Sequence, residues 1–375
     1  MPVLRILFLL SFLAACTPEG APTPPDGTPP PGDSLFYRGA DLSYLNEMED
    51  CGAIYRDAEG TAQDPYQLFA TAGANLVRVR LWYQADWTDY SNLEDVQKTI
   101  ARAKAAGMQV LLDFHNSDNW ADPQRQHIPA AWLQVVEDRQ ALGDSLHQYI
   151  YGVLQHLHTL DLLPEIVQMG NEINAEILQD PNGSYSQIDW SRNAYLINRG
   201  LAAIRQAATD LDAEIQSMLH IAQPENALWW FEEAAAAGVT DFDWIGISYY
   251  PKWSEYDFNT VPTPLKTLRQ QYGKPLMIVE TAYPYTMENQ DPANNILGTD
   301  ALLPGYPATE QGQLDYLLDL KEVLHLAGAQ GLIYWEPAWV STDCSTLWGQ
   351  GSHWDNATLF GSDGRALKGM EFYQD

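Results

Sequence analysis

The sequence predicts an α/β fold, a single (β/α)8 TIM barrel. Short, largely apolar runs alternate with amphipathic stretches along the chain, eight runs in all, as parallel strands joined by helices do. Polar, aromatic and acidic residues collect where those runs end, the face on which a barrel places its chemistry. Two of the runs end in a glutamate: Glu172 in Val167-Gln168-Met169-Gly170-Asn171-Glu172 and Glu280 in Leu276-Met277-Ile278-Val279-Glu280. The stretch between them holds two strand and helix pairs plus a third helix, the interval from a barrel's fourth strand to its seventh. A carboxylate at a buried strand exit is poorly solvated, so it pairs with a cation or works as an acid, base or nucleophile.

In chain order, the N-terminus reads as a targeting segment, set apart from the fold. Arg5 gives a positive start, residues 6–13 are an apolar run too short to span a bilayer, and Leu13-Ala14-Ala15-Cys16 resembles a bacterial lipobox. Residues 1–15 are expected to be a lipoprotein signal peptide, 16–33 a Pro/Gly-rich tether beginning at a lipidated Cys16, and 34–375 the catalytic barrel. An exported lipoprotein follows, anchored at the outer membrane or cell surface and touching membrane only through its lipid.

The first strand is expected over 35–42, with Asp41 near its end, and a helix near 64–72. Residues 76–82 alternate Arg with apolar side chains, which puts Arg78 and Arg80 on one face. An arginine inside a barrel needs a carboxylate partner; Arg80, nearer the exit, is expected beside Glu280, and Arg78 in a structural ion pair. A helix over 93–106 capped by Gly107 leads to a strand over 109–114 and a polar, aromatic exit with His115, Asp118 and Trp120. A helix over 141–160 precedes the strand 165–170 and Asn171-Glu172. Next come a helix over 193–208, a strand over 215–221 with His220, an Ala-rich helix to Ala237, and a strand over 243–248 that exits at Tyr249-Tyr250. A helix over 265–272 precedes the strand of Glu280, and a helix over 309–326 precedes the last strand, 331–335, followed by Glu336, Trp339, Trp348 and Trp354.

The 375 residues fit one elaborated barrel, since about 250 suffice for the fold. Against 20 basic residues stand 50 acidic ones, a net charge of -30, which repels nucleic acid and anionic lipid and suits a neutral substrate. With Cys16 lipidated, Cys51 and Cys344 remain, and in an oxidising compartment they are expected to pair. No CxxC, HExxH or Gly-rich phosphate loop is present, so neither a catalytic metal nor a nucleotide is expected.

A glycosidic bond needs a proton for its leaving oxygen and a nucleophile or activated water at the anomeric carbon, which two carboxylates in different environments supply. Asn171 is placed to bind the sugar 2-hydroxyl, and Tyr249 or Tyr250 to hydrogen-bond Glu280. With 13 tryptophans, a share is expected to stack on the apolar faces of sugar rings.

The exits Asn171-Glu172 and Glu280 resemble the acid/base and nucleophile of the retaining glycosidases built on eight-fold barrels. More narrowly, Gly39-Ala40-Asp41-Leu42-Ser43, Val77-Arg78-Val79-Arg80-Leu81-Trp82, Asp113-Phe114-His115, Gly246-Ile247-Ser248-Tyr249-Tyr250-Pro251 and Glu280-Thr281-Ala282-Tyr283 resemble glycoside hydrolase family 53, the endo-β-1,4-galactanases. The resemblance implies retaining hydrolysis of β-1,4-galactan in type I arabinogalactan and pectin by a monomer without a required cofactor. It implies substrate contacts from Asp41, Arg80, Trp82, His115, Asp118, Asn171, His220, Tyr249, Trp335 and Trp348. Asn116 departs from the family's usual tyrosine. Some members bind calcium in the loop after the seventh strand, where Asp291, Asn294 and Asp300 offer oxygens as a structural site. The rival readings are another retaining barrel glycosidase, such as a β-mannanase or β-1,4-glucanase, and a non-catalytic glycan-binding surface lipoprotein.

Overall fold

The computed structural model describes residues 35–374; the expected signal peptide, lipidated Cys16 and the whole tether lie outside them. Eight parallel strands close on themselves in chain order: β1 (Tyr37–Asp41), β2 (Leu76–Leu81), β3 (Gln109–Phe114), β4 (Ile166–Met169), β5 (Gln216–Ala222), β6 (Trp244–Ser248), β7 (Leu276–Thr281) and β8 (Gly331–Tyr334), with β8 paired to β1. Eight α-helices accompany them: α1 (Leu45–Asp50), α2 (Pro65–Ala72), α3 (Leu93–Ala105), α4 (Arg139–Thr159), α5 (Trp190–Asp210), α6 (Pro224–Ala236), α7 (Pro262–Tyr272) and α8 (Glu310–Ala327).

Each expected strand is present to within two residues at either end. The helices α4 and α5 start two and three residues earlier than their apolar periodicity suggests, because Asp138 and Asp189 cap them by accepting from backbone N–H groups of the first turn. Two elements were not anticipated: the short α1, and a hairpin of β9 (Ser345–Thr346) and β10 (Gly349–Gln350) in the loop after β8. Cys51, just past α1, and Cys344, beside the hairpin, are joined as a disulfide with a Cα–Cα distance of 5.7 Å. Among the described residues no helix is long and apolar enough to cross a membrane.

Alternation along each strand sorts side chains between bore and shell. Leu76, Leu111, Ile166, Met218, Met277 and Ile333 fill the bore, while Val77, Leu112, Val167, Leu219, Ile278 and Leu332 pack outward in the larger core shared with the helices. Two residues further along four strands, the inward positions become polar: Arg78, Asp113, Gln168 and His220. That is where the site begins.

One strand departs from alternation. The register of β7 slips against β6 between Ile247 and Ser248, so that Ile247 faces Ile278 but Ser248 faces Glu280, and it slips again against β8. Val279 stays with the bore residues, and Glu280, the next residue, also turns inward to meet Arg78. A bulge of this kind re-aims a side chain beside an active site.

Candidate active site

Arg78 is the hub, touching five polar side chains. Nε donates to Gln168 Oε1 at 3.2 Å, Nη1 to Asp41 Oδ2 at 2.7 Å, and Nη2 to Asp113 Oδ2 at 2.8 Å and Asn171 Oδ1 at 2.7 Å, while Glu280 Oε1 stands in ion-pair contact 2.8 Å from Nη1. The expectation for the two arginines is therefore reversed. Arg80 pairs with Glu336 at 2.5 Å and lies against the rings of Tyr44, Trp82 and Trp120, 4.2 to 4.9 Å from their centroids. The reason is reach: an arginine side chain spans about two strand residues, so the one rooted a layer deeper puts its guanidinium among the carboxylates, and the one at the exit overshoots.

The Glu280 carboxylate accepts a hydrogen bond from Tyr250 Oη at 3.3 Å. Of the two tyrosines expected for this role it is Tyr250 that fills it, and Tyr249 donates to the Tyr256 carbonyl at 2.9 Å. Parity along β6 decides this, since Trp244, Gly246 and Ser248 face the bore, Tyr250 continues that face, and Tyr249 turns to the helices.

Glu172 sits in the left-handed region at φ 43°, as do Asn116, Gln223 and Glu336 at the exits of β3, β5 and β8. Such non-glycine residues persist only where their surroundings over-determine them. Here Gln126 Nε2 donates to the carbonyls of Asn171 and Glu172 at 2.9 and 3.1 Å, and the N–H of Ile173 to the His220 carbonyl at 2.9 Å. The Glu172 carboxylate accepts from Ser248 Oγ at 2.7 Å, and Ser248 Oγ lies 2.8 Å from His220 Nε2. Because the serine proton goes to Glu172 and His220 Nδ1 accepts from Gln168 Nε2 at 3.0 Å, the imidazole proton rests on Nε2. Burial, with Arg78 and His115 nearby, holds His220 neutral, well below the usual imidazole range. A chain runs from Gln168 through His220 and Ser248 to Glu172.

Oxygens of Glu172 and Glu280 and a ring nitrogen of His220 lie within 4.8 Å of one another, a grouping of ligand-type atoms that does not include the expected calcium residues. Burial raises Glu172 to about 7, opposed by the Ser248 hydrogen bond and Arg78, with Asp122 and Asp113 adding to the rise. Burial also pushes Glu280 upward, against the pull of Arg78. The two carboxylates share a site and titrate together. Glu280 has a guanidinium at 2.8 Å and Glu172 only a hydroxyl, so the negative charge of the pair settles on Glu280 and the proton on Glu172.

The glutamates separate two concavities. One, of about 180 Å³, is lined by Asp41, Arg80, His115, Asn171, Trp335 and Trp348, so six of the ten expected substrate contacts come together. The other, of about 670 Å³, opens past Tyr250, Trp253, Asn226 and Arg125. The remaining four expectations are corrected. Asp118 is a loop staple, accepting from the N–H of Gln84 and of Ala130; Trp82 is buried behind Trp120 with its Nε1 on His115 Nδ1 at 3.3 Å; His220 is fully buried behind Glu172; and Tyr249 faces the helices. Asp300 is paired to Lys252 at 3.0 Å, Asp291 accepts from Ser341 and from the N–H groups of Ala293 and Ser352, and Asn294 offers its carbonyl to His353, so these residues are not gathered around an ion. Ser248 and Gln168 went unassigned, although strand parity alone places both on the inner face.

The model of glycosyl hydrolase family 53 matches residues 37–373. An arabinogalactan endo-beta-1,4-galactanase of Cellvibrio japonicus is 55% identical over 326 residues, covering 87% of this chain and 86% of that one. An endo-beta-1,4-galactanase of Bacillus subtilis is 32% identical, covering 90% and 85%. Among solved structures, a GH53 catalytic domain of Ignisphaera aggregans superposes with a TM-score of 0.83 at 29% identity, over 92% of this chain and 98% of that one. A fungal beta-1,4-galactanase gives 0.78 at 29%, over 91% and 99%.

Proposed function

The chain belongs to glycosyl hydrolase family 53, and from that premise we propose that it cleaves β-1,4-galactosidic bonds in galactan and type I arabinogalactan with retention, Glu280 acting as nucleophile and Glu172 as acid/base. The observation that carries this reading is that one oxygen of each carboxylate lies within 4.8 Å of the other, the close spacing in which a carboxylate can attack directly, as in retaining enzymes, where the two carboxyl groups stand about 5 to 5.5 Å apart. In the first step the Glu280 carboxylate forms a bond to the anomeric carbon while Glu172 gives its proton to the departing glycosidic oxygen. In the second, Glu172, now ionised, takes a proton from water as the water oxygen displaces Glu280. Asn171 holds its amide by Ala121 and Arg78, leaving one N–H for the sugar 2-hydroxyl. Six tryptophans, 120, 335, 339, 348, 253 and 354, line the two concavities and suit a neutral sugar chain.

Reducing-end release from β-1,4-galactan, beside mannan, cellulose and xylan, by the protein lacking residues 1–33 tests this, with Glu280→Ala as the blank. Galactan-only release that vanishes in the blank is expected; turnover of another glycan in place of galactan sinks the substrate reading. The proposal extends to an exported, Cys16-lipidated protein acting as a monomer. The lipobox-like Leu13-Ala14-Ala15-Cys16 and the Cys51–Cys344 disulfide support export. Metabolic labelling with a fatty acid, abolished by Cys16→Ser, and sedimentation of the soluble domain check both points.

A further inference from the structure

A third concavity, of about 530 Å³, lies beside the catalytic cleft and is lined by Asn174, Tyr185, Gln187, Trp190, Trp229 and Glu233. Its volume is that of a small-molecule site. Two of its aromatic rings are exposed, Trp229 at 43% and Tyr185 at 36%, and the sequence does not require that: on the same helix Trp230 is fully buried against Trp190, ring centroids 5.5 Å apart. Tyr185 is held in place, its hydroxyl accepting from the Asp180 N–H at 2.9 Å. An ordered aromatic pair facing solvent over a polar concavity is a sugar-stacking surface rather than a leftover of the core.

Two elements line both the concavity and the cleft. Along α6, Asn226 lines the cleft, Trp229 stands one helical turn further, and Glu233 a turn beyond, all on one stripe. Along the loop after β4, Glu172 lines the cleft and Asn174 the new concavity, and the Asn174 amide clamps Ala222, a cleft residue, through Oδ1 at 2.8 Å and Nδ2 at 2.9 Å. Both elements leave the cleft from the side of Tyr250, Trp253 and Asn226. The opposite side carries Asn171, Arg78 and Asp41, which belong to the sugar under attack. A chain leaving toward Trp229 is therefore the departing, reducing-end portion of the substrate.

We propose that Trp229 and Tyr185, with Gln187 and Glu233 as hydroxyl partners, form a remote subsite for the leaving-group end of a β-linked galactan chain. The subsite rests on the galactanase reading. It binds uncharged galactosyl residues by stacking and holds long chains in preference to short ones, which favours cuts well inside the polymer.

Hydrolysis of reducing-end-labelled galacto-octaose and galactotriose by wild type, Trp229→Ala and Trp229→Tyr tests it, alongside melting temperatures to establish that each variant is folded. The expected result is that Trp229→Ala lowers the ratio of kcat/KM on octaose to that on triose about fivefold, mostly through KM, as loss of a stacked ring worth about 1 kcal/mol requires. Cuts in the octaose move toward the labelled end, and Trp229→Tyr restores both. An unchanged cut pattern and ratio in a folded Trp229→Ala protein, with the wild type active on galactan, overturns the subsite and leaves the galactanase reading standing. A wild type inert on every galacto-oligosaccharide overturns both.

Discussion

Ser248 donates to a carboxylate that must spend half of each catalytic cycle protonated. Glu172, raised to about 7 by burial, is competent as an acid while it keeps its proton, so kcat/KM on galactan is expected to fall as pH rises through about 7. The serine hydrogen bond favours the ionised form; Ser248→Ala removes it and moves that alkaline limb to higher pH. A limb that stays put or moves down in a full pH–rate profile rules out the assigned chain. Glu172→Ala should lose on the order of 10² to 10⁴ in kcat on galactan yet lose far less on a nitrophenyl galactoside, whose leaving group needs no proton; equal losses on both contradict the acid role. That the two glutamates would meet at one end of the barrel was legible because each closes an apolar run. What surrounds them was not. Side-chain reach decided between Arg78 and Arg80, and the facing of a single residue decided between Tyr249 and Tyr250. Neither is a property of local composition.

At the scale of elements, α1 and the loop after β8 act as one piece. The Cys51–Cys344 bond ties the end of the helix to the hairpin whose turn carries Trp348, a half-exposed wall of the smaller concavity. The cysteine count foretold the bond, but six helical residues are too few to announce themselves by periodicity, so α1 went unseen. Cys51→Ser is expected to lower stability by about 2 to 4 kcal/mol, the usual effect of removing a native bridge, and to raise KM on galactan by loosening Trp348. Denaturant unfolding with and without reductant measures the first, and wild type under reductant should match the variant. A reduced wild type as stable as the oxidised one is inconsistent with this account.

Over the whole molecule, acidic groups are buried at the site while the net charge is -30. Burial raises Glu47 to about 7, Glu172 to about 7 and Glu336 to about 8. A carboxyl raised in the folded state keeps its proton after its unfolded counterpart, near 4.5, has lost it. Its contribution to stability is thus full below about 4.5 and is lost as pH climbs through 7 to 8. Self-repulsion among surface carboxylates acts in the same direction. Melting temperature is expected to fall between pH 5 and pH 8, and salt to recover part of the loss at the higher pH by screening over about 8 Å. A melting temperature that climbs across this interval contradicts the assignment of buried, protonated carboxyls. The barrel itself was legible throughout, since eight apolar runs with chemistry at one end admit few other closures.

The slip in β7 has an evolutionary corollary. Removing Val279 would leave a strand that still pairs on both sides and still ends in a glutamate, with plain alternation after the outward-facing Ile278 and the glutamate still turned to the bore. A relative lacking that one residue would keep its glutamate on the inner face, so what the extra residue supplies is the bulge that re-aims the side chain beside Arg78 and not the face on which it stands. Within this architecture, the face a carboxylate occupies and the direction in which it is aimed are set by different features of the strand.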